Sequence, residues 1–155
     1  MKTLIENLSC IANEFLEKEY GIELTIPIRV SSRMTTKLGA FVTRGNKPYE
    51  IVISKNLLEN YSADTIVDVL KHECVHFALC SLGYPYRDGQ AKFEMELKRL
   101  GVSSTYTYSF KGIVYLYACK KCNIVFHKRI KGYEKRYCCA KCRRKFKYIG
   151  EKHIK

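Results

Sequence analysis

The chain lacks any apolar run long enough to cross a bilayer, since a spanning helix needs about 20 consecutive, mostly apolar residues. Its N-terminus also lacks the marks of a secretory leader. Between Met1 and Leu24 the apolar residues are broken by Glu6, Glu14, Glu17 and Glu19, with no small-residue cleavage site. These two absences predict a cytoplasmic chain with no membrane partner. A third absence is of negative charge at one end. The last 45 residues hold 15 Lys/Arg against only Glu134 and Glu151, whereas residues 1–110 balance 13 Lys/Arg with 13 Asp/Glu. The net charge of +13 therefore belongs to the C-terminal end, where it predicts an anionic partner. The bland alternative is a basic, merely solvated tail.

What is present suits one ordinary domain with a small appendage, because 155 residues with an ordinary apolar fraction can build one core. Thr3 and Glu6 are spaced as a capping box, and Leu4, Leu8, Ile11 and Phe15 recur at helical steps, so a helix is expected to end near Gly21. Three β-rich runs follow: Thr25–Val30, Leu38–Arg44 and Tyr49–Ser54. Gly45-Asn46-Lys47-Pro48 links the last two as a hairpin. Ser62 and Asp64 open a second helix that is apolar on nearly every side from Ile66 to Leu82 and is therefore buried. Phe93, Leu97 and Leu100 pattern a last helix stopped by Gly101. Residues 102–110 are expected to be a linker or extended segment, and the boundary near Lys111 gives domains of 1–110 and 111–155.

The chemistry concentrates at His72-Glu73-Cys74-Val75-His76. Four residues span just over one helical turn, so His72 and His76 project from one face and can both bind one Zn²⁺. Glu73 is turned away from the metal but within reach of its water, whose pKa zinc lowers toward ~7; this makes Glu73 the catalytic base. The competing reading is two satisfied core histidines beside an ion-paired Glu73. A third ligand is needed, and no histidine is at hand: His127 and His153 lie in the basic end. Among Asp88, Glu94 and Glu96, Glu94 is favoured, with Asp88 second.

Eight cysteines without a leader read as metal ligands rather than disulfides. Cys119-x2-Cys122 and Cys139-x2-Cys142, 16 residues apart, match a four-cysteine structural zinc site, in which each pair forms one knuckle. Cys138 could stand in for Cys139, but the spacing favours Cys139. Around this ribbon lie Lys120, Lys121, Lys128, Arg129, Arg136, Arg143, Arg144 and Lys145, which are candidate phosphate contacts. Tyr133, Tyr137, Phe146 and Tyr148 interleave with them; the ribbon's own small core is a better reading of these rings than base stacking.

The order of these parts resembles the SprT-like family, the bacterial relatives of the Spartan protease. The resemblance rests on His72-Glu73-x-x-His76, on Asp88-Gly89-Gln90-Ala91-Lys92-Phe93-Glu94 and on the Cys119 to Cys142 ribbon. It implies an α+β fold, a compact zincin-like metalloprotease domain of helices on a small sheet followed by a zinc ribbon. It also implies one catalytic and one structural Zn²⁺, a protein substrate, and by analogy activity on DNA-associated or DNA-crosslinked proteins. Many relatives carry His-Gly shortly before the residue matching Phe93, and that histidine binds zinc; here the stretch is Gly89-Gln90, leaving a carboxylate, a water or nothing in its place. An extended substrate would pair with an edge strand, for which Tyr49–Ser54 is the candidate. The alternative is a non-catalytic nucleic-acid-binding ribbon protein with a vestigial His-Glu-x-x-His site; an acidic protein could also be the ribbon's partner.

Overall fold

The computed structural model describes residues 2–104 and 107–155, so Thr105 and Tyr106 of the expected linker lie outside the described residues. The fold is mixed α+β, and the chain divides between Ser109 and Phe110 into two compact units.

In the first unit, helix α1 (Lys2–Tyr20) buries Leu8, Ala12, Phe15 and Leu16 along one face. Lys2 is already helical, so Thr3 lies inside the helix rather than capping it. Strands β1 (Ile28–Ser31), β2 (Gly39–Arg44) and β3 (Lys47–Ser54) form a sheet in the order β1-β3-β2. β1 is parallel and β2 antiparallel to β3. The first strand starts later than expected because Pro27 has no N–H for the ladder; its carbonyl still accepts from the Ile51 N–H at 3.0 Å. The hairpin is tighter than expected. Gly45 and Asn46 both take positive φ, 57° and 61°, as a two-residue type I′ turn requires, and Lys47 and Pro48 join β3. The strand order corrects the expected substrate edge: Tyr49–Ser54 belongs to β3, which is paired on both sides, and the open edges are β1 and β2.

A short helix α2 (Lys55–Asn60), absent from the sequence reading, is capped by Ser54, whose Oγ accepts from the Leu57 N–H at 3.0 Å. Six residues are too few to show a helical period. Helix α3 (Ala63–Ser81) starts at the expected Ser62 cap. It is buried without a break from Val69 to Leu79, apart from Lys71, which places His72, Glu73 and His76 inside the unit rather than on it. Helix α4 (Ala91–Leu100) ends at Gly101, in the left-handed conformation with φ 66°. The core joins α1, β3, α3 and α4, and Val102 is part of it. The start of the expected linker is thus packed, not free.

The second unit is an antiparallel sheet, β5-β4-β6, of β4 (Gly112–Cys119), β5 (Val125–Lys128) and β6 (Phe146–Ile154). Tyr117 is fully buried, with the rings of Phe126, Tyr133 and Tyr148 around it. Phe146 packs on Phe126 and Tyr133. The aromatic residues are therefore mainly the unit's core, with Tyr137 and Tyr148 about half exposed. Among the described residues no helix is long and apolar enough to cross a membrane.

Candidate metal centres and active site

On α3 the rings of His72 and His76 lie edge to face with centroids 5.0 Å apart, and both rest on Phe93 of α4. That ring stacks on His76 at 4.0 Å and meets His72 edge-on at 5.2 Å. Each imidazole is also oriented through Nδ1. His72 Nδ1–H donates to the Ser103 carbonyl at 2.8 Å, and His76 Nδ1–H donates to the Tyr86 carbonyl. A carbonyl only accepts, so these bonds place a proton on Nδ1 of each ring, and in the neutral imidazole the lone pair is then on Nε2. Both Nε2 atoms face one oxygen, Asp88 Oδ1, at 3.2 Å from His72 and 3.4 Å from His76. Burial holds His76 below the usual imidazole range. Two imidazole nitrogens and a carboxylate oxygen within 4.8 Å of one another are a donor set for a cation, and the N/N/O chemistry fits zinc.

The carboxylate brought to the histidines is Asp88, not the favoured Glu94. Glu94 faces back along the chain, where Oε1 accepts the Gly89 N–H at 3.0 Å. The loop is closed further by the Gln90 side chain, whose Oε1 accepts the Arg87 N–H at 2.8 Å. Glu94 thus shapes the turn that delivers Asp88. Glu96, the third acid weighed, bonds Tyr20 and Arg99 instead.

Glu73 is 5 % exposed. Burial first, then the charge of Asp88, pushes its carboxyl up to about 8, against the opposing pull of Lys37 and the Phe41 N–H. It packs against β2 where that strand has no side chain: a Cβ at Gly39 would meet Glu73 Cγ and Oε1 at 3.1 Å and Val69 Cγ1 at 3.0 Å. A cavity of about 490 Å³ opens over this arrangement, between β2 on one side and Tyr86–Asp88 with Ser103, Ser104, Thr107 and Tyr108 on the other. It reaches both histidines and Glu73 and runs along the open edge of the sheet.

In the second unit the four sulfurs of Cys119, Cys122, Cys139 and Cys142 lie within 4.8 Å of one another. The two knuckles repeat the same backbone. The Asn123 N–H donates to the Cys119 carbonyl and the Arg143 N–H to the Cys139 carbonyl, at 3.1 and 2.7 Å. The Cys119 and Cys139 N–H groups donate to the carbonyls of Ile124 and Arg144, at 3.0 and 2.9 Å. Asn123 and Arg143 both take positive φ, 58° and 56°. Cys138 is exposed and outside the cluster. N–H groups of Cys122 and Lys121 pull the Cys119 thiol down to about 6. The hydrogen bond that the Cys142 thiol donates to the Cys122 sulfur pushes Cys142 up to about 11. Sulfurs this crowded cannot all ionise without a cation between them, and an all-sulfur set suits zinc.

Lys120, Lys121, Lys128, Arg129, Arg136, Arg143, Arg144 and Lys145 are all exposed. Lys120 and Lys121 sit on the first knuckle and Arg143, Arg144 and Lys145 beside the second. Arg129 is turned onto the Phe110 ring, 4.2 Å from its centroid. Four residues at the first site escaped the sequence reading: Gly39, Tyr86, Ser103 and Asp68, whose carboxylate accepts the Ser103 N–H. Only Gly39 left a local signal, a glycine inside a β-rich run, which marks close approach. Tyr86 and Ser103 act through backbone carbonyls, which carry no residue signature.

Comparison with known proteins gives a family. The model of the SprT-like family matches residues 5–110. A "Protein SprT-like" of Bacillus cereus is 24% identical over 136 residues, covering 85% of this chain and 88% of that protein. One of Bacillus anthracis is 23% identical over 148 residues, 93% of this chain and 95% of that protein. One of Lactiplantibacillus plantarum is 26% identical over 106 residues, 65% and 71% of the two chains. No solved structure matches significantly.

Proposed function

The chain belongs to the SprT-like family, and from that membership and the donor set on α3 we propose that it is a zinc-dependent metallopeptidase with a zincin-like first domain. The observation that carries this reading is the convergence of two Nε2 atoms on Asp88 Oδ1 beside a buried carboxyl, in an open cleft. His72, His76 and Asp88 hold the ion. Bound zinc supplies Lewis acidity toward water and the scissile carbonyl. Glu73 takes the proton of the attacking water and passes it to the leaving amine. Its buried setting brings its pKa toward neutral, where such transfers are efficient, and a cation next to it favours the ionised form. The open edge of β2 takes an extended peptide as an added strand.

Gly39 sets the space for the base. Gly39→Ala is expected to leave zinc bound and to lower turnover about ten-fold or more, since small misplacements of a catalytic group are costly. Steady-state cleavage of a denatured test protein, with zinc content measured alongside, checks this.

The ribbon holds a second, structural zinc, and its basic knuckles bring the enzyme to DNA-associated or DNA-crosslinked proteins. The non-catalytic alternative drew its motive from the missing third histidine, and Asp88 removes that motive. The decisive experiment is zinc per chain in wild type, Asp88→Ala and Glu94→Ala, together with cleavage assays with and without DNA. Two zinc ions in wild type and Glu94→Ala, one in Asp88→Ala, and cleavage only by the fully loaded proteins are expected. One zinc in all three, with salt-dependent DNA binding and no cleavage, overturns the enzyme reading.

A further inference from the structure

One turn before His72, helix α3 carries an acid that the mechanism above does not use. Asp68 Oδ1 accepts the Ser103 N–H at 3.2 Å, and Oδ2 accepts the Tyr108 hydroxyl. Ser103 in turn accepts the His72 Nδ1–H through its carbonyl at 2.8 Å. We propose that Asp68 is a positioning residue for the metal site: by clamping Ser103 it orients His72 so that Nε2 is turned toward Asp88.

Ser103 lies beyond α4 in neither helix nor strand, so no regular ladder fixes the direction of its carbonyl. What fixes it is local. Val102 is buried on one side, the Asp68 carboxylate grips the Ser103 N–H, and the bond to Tyr108 ties down the segment five residues on. Burial pushes the Asp68 carboxyl up, but the bonds from Ser103 and Tyr108 outweigh it and keep it below the usual carboxylate range. An ionised carboxylate with two donors is a strong clamp. His76 needs no such acid, because its acceptor, the Tyr86 carbonyl, precedes the turn closed by Gln90 and Glu94. The two histidines are thus set by different devices: His76 by a turn, His72 by a carboxylate acting through one peptide. Partners of this kind set the ring tautomer, and their loss weakens metal binding about 10–100-fold.

The proposal rests on His72 being a zinc ligand, and its test separates the two claims. The full chain carries its own reference, since the ribbon's four cysteines belong to the other unit. Asn keeps the shape of Asp but accepts through one atom only. In Asp68→Asn, competition against a chelator is expected to show the His72 site weakened about ten-fold or more, with the ribbon zinc unchanged. In metal-free protein labelled with ¹⁵N-histidine, wild-type His72 is expected to carry its proton on Nδ1, and Asp68→Asn to give a mixture of tautomers. Tyr108→Phe, which removes one arm of the clamp, is expected to shift both readouts less and in the same direction; it also decides the matter if Asp68→Asn does not fold. Unchanged zinc affinity and tautomer in both variants, or a wild-type His72 protonated at Nε2, overturns the proposal. A wild-type chain that takes zinc only in its ribbon overturns the zinc assignment instead, and the tautomer measurement still judges Asp68.

Discussion

Glu73→Gln is expected to lower peptide-bond cleavage by about 10²–10⁴-fold, the usual worth of a positioned general base, while both zinc ions stay bound. Gln fills the same space and still accepts from the Phe41 N–H, but it cannot take a proton from water. The same substitution is expected to stabilise the metal-free protein. Glu73 is 5 % exposed and its carboxyl is pushed up to about 8, mainly by burial, against an unfolded value near ~4.3. Between those values the unfolded chain releases this proton and the folded one keeps it, so folding weakens as pH rises from about 4.3 to about 8. Below that window the effect is absent. Above it, the full cost of burying the charge applies, on the order of a few kcal/mol. Thermal melts of metal-free wild type and variant at about pH 4 and about pH 8 measure this. The curves should nearly coincide at the acid end and separate at the alkaline end, with the Glu73→Gln variant the more stable. A variant that still cleaves at the wild-type rate sinks the catalytic assignment, and equal melting at the higher pH sinks the account of the buried charge. A catalytic base kept at a cost in stability is the pattern expected of a functional site.

Zinc removal from the ribbon is expected to have the other large effect. The second unit's core is little more than Tyr117 and the rings around it, and it leaves Ile113, Ile124, Val125 and Ile130 about half exposed. So small a core does not repay the entropy of ordering the chain. Structural zinc in small domains contributes about 10–16 kcal/mol of apparent folding energy near neutral pH. Cys142→Ser is therefore expected to unfold residues 110–155 and leave residues 1–109 folded. Limited proteolysis reads the result directly: rapid cleavage confined to the C-terminal unit, with a stable N-terminal fragment. A Cys142→Ser ribbon as resistant as wild type would mean that its own packing suffices.

These effects differ in how far the sequence foretold them. His72, Glu73 and His76 were legible because a five-residue helical motif carries its own geometry wherever the helix sits. The knuckles were legible for the same reason, since each closes within six residues. Gly101 stopped α4 where the pattern ended, through a left-handed φ that glycine adopts readily. By contrast, the sequence favoured Glu94 as the third donor, whereas the acid that the fold brings to the histidines is Asp88, six residues earlier. Helical phase describes Glu94 well, but the choice depends on the path of the loop before it, where Glu94 is spent on the Gly89 N–H. The substrate edge was misplaced because β-propensity does not disclose strand order: β3, the most buried strand of its sheet, takes the centre by parallel pairing with β1. The expected linker proved to be a wall of the site for a related reason. Ser103 and Tyr108 matter through bonds to residues 31 to 40 positions away.

The sequence by itself thus determined what is local: the candidate metal-binding motifs, most helix limits, the hairpin and the basic character of one end. Only the tertiary structure decided which carboxylate meets the histidines, which strand lies open, and what holds His72 in place. The physical reason is range. Periodicity, capping and knuckle spacing act within one or two turns of chain and are written residue by residue, whereas a donor set or an edge arises only when distant segments pack together.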